Sequence, residues 1–127
     1  IMDFKELRML GGVVDGTFSD DYEYSAGSFK IIGKLVNEDT LRVTCMVIVN
    51  LLNTSDMHKE KDKAEDQLNK ACNEYIKKVK KDFKSVAGRA LKTKQKGNDI
   101  SAELIGMSGY NSKGTALIRG VYNFEVK

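Results

Sequence analysis

From residue 29 onward the apolar positions follow a two-residue period. Phe29, Ile31 and Leu35 alternate with Lys30 and Lys34, which predicts a half-buried strand. The polar triplet at 37–39 reads as a turn. Leu41, Val43, Cys45, Val47, Val49 and Leu51 then make one unbroken apolar face of a second strand. Its other face carries Arg42, Thr44, Met46, Ile48, Asn50 and Leu52, half of them apolar. A strand apolar on part of both faces belongs inside a sheet, with something covering part of its second side.

The period changes to three and four over residues 55–92. Ala64, Leu68, Ala71, Cys72, Tyr75, Ile76, Val79, Phe83, Val86, Ala87, Ala90 and Leu91 line one stripe of an amphipathic helix. Thr54, Ser55 and Asp56 offer capping groups at its start, and acids early with bases late suit the helix dipole. Such a helix, about 37 residues, would be roughly 55 Å long. Strands of about 12 residues reach only roughly 40 Å. Either the helix bends or ends near Gly88, or its end projects and exposes Val86, Ala90 and Leu91.

A second hairpin is predicted over residues 98–127. Ile100, Ala102 and Leu104 alternate with Ser101 and Glu103, residues 108–114 form a glycine-rich loop, and Ala116, Ile118, Tyr122, Phe124 and Val126 share one face of the last strand. Gly120 falls on that apolar face, where it marks a close approach of the helix backbone. Residues 1–28 are acidic and turn-rich and read as loop with at most one short strand, Val13 to Phe18. The expected architecture is α+β in the order ββαββ. One long helix packs on one face of a four-stranded, mostly antiparallel sheet, and the whole forms a single domain. Its parts are the acidic N-terminal segment 1–28, a first hairpin 29–53, the helix 55–92 and the second hairpin 98–127.

Composition adds limits. At 127 residues, 41% hydrophobic and 31% charged, the chain can bury a core without metal or disulfide staples. It has no proline, so glycine and polar clusters must end its elements. Cys45 and Cys72 read as small buried apolar residues, with no CxxC spacing and no nearby histidine to suggest redox or metal chemistry. Met2 reads as an initiator, and Asp3, Lys5, Glu6 and Arg8 break any signal-peptide apolar segment. The longest uncharged apolar run, Val43 to Leu52, is far short of the roughly 20 residues that span a bilayer. A cytoplasmic protein with no membrane partner is expected.

No motif names a reaction. His58, the single histidine, sits among charges at the helix start, and the carboxylates of Asp56, Glu60, Asp62, Glu65 and Asp66 alternate with lysines in an ordinary solvated-face pattern. Asp15, Asp20, Asp21 and Glu23 match no EF-hand spacing, and the glycine pairs match no phosphate-binding loop. No catalytic residue, cofactor or metal ligand is assigned, and an enzyme of unrecognised type ranks last among the readings.

Charge is the remaining signal. The net charge is only +3, yet residues 1–28 hold six acids against two bases, and residues 77–96 hold nine bases against Asp82. Those nine, Lys77, Lys78, Lys80, Lys81, Lys84, Arg89, Lys92, Lys94 and Lys96, read as a solvated helix face, as a contact for nucleic acid or another polyanion, or as the partner of the acidic segment 1–28 within one chain or between chains. Phe83, on the apolar stripe, is the run's one aromatic, which argues against base stacking. The expected function is a non-enzymatic binding or assembly module that self-associates as a homo-oligomer, with Met46, Ile48, Leu52, Val86, Ala90 and Leu91 as candidate contacts. Polyanion binding through residues 77–96 is the alternative.

Overall fold

The computed structural model describes the backbone of residues 13–14, 17–24, 27–37, 39–108 and 113–126. Side chains are described from Phe29 to Met107, Glu38 excepted, and from Lys113 to Val126. The elements are β1 (Val13–Val14), β2 (Thr17–Tyr24), β3 (Gly27–Asn37), β4 (Thr40–Leu51), a 3-10 turn (Thr54–Asp56), α1 (Met57–Ala87), β5 (Thr93–Ser108) and β6 (Lys113–Val126). All strands pair antiparallel in one sheet of order β1-β2-β3-β4-β6-β5. The four strands β3, β4, β6 and β5 with α1 are the ββαββ unit that the periodicity predicts.

Two expectations need correction. The N-terminal acidic stretch is not loop with a single short strand. It contributes β1 and β2, and Asp20 and Asp21 lie within β2, opposite Ile31 and Lys30. The ladder of N–H and C=O groups that adds a strand at a sheet's edge does not read side chains. Thr17, Phe18, Tyr22 and Tyr24 supply β propensity that outweighs the acids between them. Phe4, Leu7, Met9 and Leu10, the apolar residues that offer an alternative cover for the second sheet face within one chain, lie outside the described residues, as do the rest of 1–12 and Asp15.

The helix is also shorter than 55–92. It ends at Ala87, because Gly88 adopts φ 70 and its N–H donates to the Lys84 carbonyl at 2.9 Å. This left-handed cap satisfies a carbonyl that the last turn would otherwise leave open. At its other end Asn53 Oδ1 accepts from the Ser55 N–H at 3.1 Å and starts the 3-10 turn that leads into α1. Thirty-one residues make a helix about 46 Å long. The fourteen residues of β6 span about the same length, so neither element outruns the other.

Burial follows the predicted stripe. Ala64, Leu68, Ala71, Cys72, Tyr75, Ile76, Val79 and Phe83 face the sheet. They meet Phe29, Ile31, Leu35, Leu41, Val43, Cys45, Ile118, Tyr122, Phe124 and Val126, with Val47, Val49, Ala87, Ile100 and Ala102 at the margin. Leu91 does not project. Once Gly88 has turned the chain, Leu91 folds back and is buried in the same core. Gly120 faces a different neighbour from the one expected: the ring of Tyr122 and the side chain of Ile100 close over it, not the helix backbone.

Candidate interaction surfaces

The helix covers one face of the sheet, and among the described residues nothing covers the other. Odd-numbered residues of β3 and β4 and even-numbered residues of β6 point to the helix, so their neighbours point away from it. The register aligns these outer residues in rows. Ile32, Thr44 and Val121 form one row, Lys30, Met46 and Arg119 a second, and Ile48 with Leu117 a third. Met46, Leu117 and Val121 are half-buried by their neighbours, whereas Ile48 is 62% exposed.

Most of the exposed large apolar side chains gather at one end of the sheet. Ile48, Leu52, Leu104, Ile105 and Met107 all lie near the end of the β5–β6 hairpin, with Leu52 82% exposed. Ile48 is on the outer face, whereas Leu104 and Met107 pair with Ala116 and Gly114 on the helix side. A bulge between Leu104 and Gly106 sets Ile105 out of the ladder. Beside them opens a depression of about 390 Å³, lined by Asn50, Leu51, Leu52, Gly106, Met107, Lys113, Gly114 and Thr115. The strands approach closely at its edge, where a Cβ on Gly114 would lie 2.9 Å from the Gly106 carbonyl oxygen and 3.2 Å from Thr54 Cγ2. Of the residues singled out from sequence for self-association, Met46, Ile48 and Leu52 share this face. Val86 and Ala90 are exposed at the far end of the helix, away from it, and Leu91 belongs to the core.

The basic run divides in three dimensions. Lys77, Lys81 and Lys84 lie on the solvent side of α1, Lys78 is exposed beside them and Lys80 is half-buried. Arg89 lies over the Phe83 ring, 5.1 Å from its centroid, and Lys96 Nζ pairs with Glu125 Oε2 at 3.7 Å. Lys92 precedes β5 and Lys94 is part of it. Arg89 and Lys96 are therefore drawn into contacts within the chain.

A third feature was not visible in the sequence. Tyr122 O–H donates to Asn69 Oδ1 at 2.7 Å, across the seam between β6 and α1. Asn69, Asn73, Gln95, Asn98 and Tyr122 line a neutral polar cleft there of about 200 Å³. Beneath it Cys45 of β4 and Cys72 of α1 are free and buried. Hydrogen bonding to Cys45, then burial, pushes the Cys72 thiol well above its usual range. Burial, and after it the neighbouring Cys72, pushes the Tyr122 phenol up.

These shifts carry a pH prediction. Both groups keep their protons in the folded chain at a pH where the unfolded chain loses them, near about 8.5 for a thiol and about 10 for a phenol. Raised native pKa values give stability that is complete below those unfolded values and is lost as pH rises above them. The urea midpoint should stay flat from about pH 6 to 8, then fall above about 8.5 and more steeply above about 10. Cys72→Ala should flatten the first part of that fall. A midpoint that rises between pH 8.5 and 10.5 would contradict this account.

Among the described residues no group of His, Cys, Asp and Glu is placed to hold a metal ion, and His58 is exposed. No described helix is long and apolar enough to cross a membrane. In comparisons with family models, curated proteins and solved structures, nothing matches this chain.

Proposed function

We propose that this chain is an assembly module that pairs with a second copy of itself through the uncovered face of its sheet. The observation that supports the reading is a pair of protruding aliphatic groups with a hollow beside them. Ile48 and Leu52 stand out of the face, and the depression floored by Gly106, Gly114 and Thr115 lies beside them. A two-fold interface needs this kind of self-complementarity, since each patch meets its own copy. The area is adequate as well. Four strands spaced about 4.8 Å apart and about 40 Å long present roughly 760 Å², close to the roughly 800 Å² that each partner contributes to a standard interface.

Charge favours one orientation. Lys30 lies on β3 toward one flank of the face, while exposed Asp99 and Glu103 lie on β5 at the other, with Lys94 and Lys96 at the start of the same strand. A two-fold axis parallel to the strands sets Lys30 of one copy near the Asp99–Glu103 stretch of the other, which steers association.

Sedimentation equilibrium tests the reading. At about 100 μM protein the mass should be at least twice the 14.2 kDa of one chain. Ile48→Glu with Leu52→Glu should raise the dissociation constant at least about tenfold, or ~1.4 kcal/mol, while leaving circular dichroism unchanged. A 14.2 kDa species that persists at that concentration in both low and high salt removes the proposal.

A further inference from the structure

The solvent side of α1 is the strongest feature that self-association leaves unused. Lys59, Lys63, Lys70, Lys77, Lys81 and Lys84 are all exposed. At 100° per residue these six fall within about 60° of arc on the side of the helix opposite its buried stripe. They span about 38 Å along its axis. Half of them lie outside the basic run that the sequence marks, and only the helical geometry joins them to it. Asp66 is the one carboxylate in the same arc. Among the described residues none of the six lysines forms an ion pair, although the helix also carries acids.

We infer that this lysine stripe binds double-stranded nucleic acid through its phosphates, without reading base sequence. The stripe is straight and rigid, because the far side of α1 is fixed to the sheet. Its charge meets a duplex that carries one negative charge per about 1.7 Å of axis. Other anionic partners fit less well. A single strand is held by aromatic side chains on which bases stack, and no aromatic residue shares this arc. An anionic bilayer recruits a helix whose exposed side also carries apolar residues, and here those residues face the sheet. Lysine is a point charge without the bidentate geometry that reads a base edge, so discrimination among sequences is not expected. The stripe lies on the opposite side of the molecule from the uncovered sheet face. A pair formed there would carry one stripe on each outer surface, yet duplex binding does not depend on pairing.

Fluorescence anisotropy with a labelled duplex of about 20 base pairs, as DNA and as RNA, decides the matter. Binding is expected at about 50 mM salt, with log K falling against log salt at a slope between about −3 and −5. Lys70→Glu with Lys77→Glu should weaken it at least tenfold. Lys92→Glu with Lys94→Glu makes the same change in net charge off the stripe and should weaken it less than threefold. Circular dichroism should confirm that both variants are folded. The inference is overturned by no binding at about 50 mM salt, by equal losses in the two variants, or by tighter binding to a single strand or to phosphatidylserine vesicles than to the duplex.

Discussion

Phe83→Ala is expected to lower the unfolding free energy by about 3–5 kcal/mol. Phe83 is fully buried near the end of α1, in the core cluster where the helix stripe meets the sheet. Truncation removes an aromatic ring's apolar area from that core and leaves a cavity that a rigid sheet and a capped helix end cannot collapse around. It also takes away the surface on which Arg89 rests, a smaller loss of about 0.5–1 kcal/mol. Val86, one turn further on and 39% exposed, is the control. Val86→Ala gives up far less burial than Phe83→Ala and gains helix propensity, so its effect should stay within about 1 kcal/mol. Urea denaturation of the two variants side by side measures the contrast. A Phe83→Ala loss below about 0.5 kcal/mol would mean that the wrong face of the helix has been placed against the sheet.

The helix stripe and the strands β3, β4, β5 and β6 were legible because burial writes a period into the sequence, and each partner must show its own apolar face. What the sequence hid has other causes. β2 pairs through its backbone, so its acidic residues resembled a loop. Leu91 continued the helical period and looked exposed, but a single left-handed residue at Gly88 ended the helix and turned Leu91 inward. The basic run was read as one patch because its members are neighbours in sequence. Folding assigns Arg89 to Phe83 and Lys96 to Glu125, and draws Lys59, Lys63 and Lys70 into line with the remainder. The uncovered face was half legible. Met46, Ile48 and Leu52 signalled it, whereas the depression beside them is lined by residues of two hairpins that no local pattern brings together.

The second large effect is expected at Gly120, where alanine should cost about 2–4 kcal/mol, the sum of overpacking and a lost hydrogen bond. Elsewhere, replacing a strand glycine with alanine restricts the unfolded chain and tends to stabilise by about 0.4–1 kcal/mol. Three contacts reverse the sign here. A Cβ on Gly120 would lie 2.7 Å from Tyr122 Cε2, 2.9 Å from Tyr122 Oη and 3.1 Å from Ile100 Cδ1. Ile100 is a flexible aliphatic at the core margin and can rotate. Tyr122 cannot move freely. Its ring is buried, and its hydroxyl is held by Asn69 at 2.7 Å. Making room for the methyl group therefore breaks that bond or displaces a core aromatic toward Cys45, the residue opposite Gly120 on β4. The glycine is what lets a tyrosine lie back along its own strand and reach the helix. A double-mutant cycle tests this dependence. Gly120→Ala should cost at least about 1 kcal/mol less in a Tyr122→Leu background, where the ring is gone, than in the wild type. Equal costs in the two backgrounds would show that the ring is not what the methyl group meets.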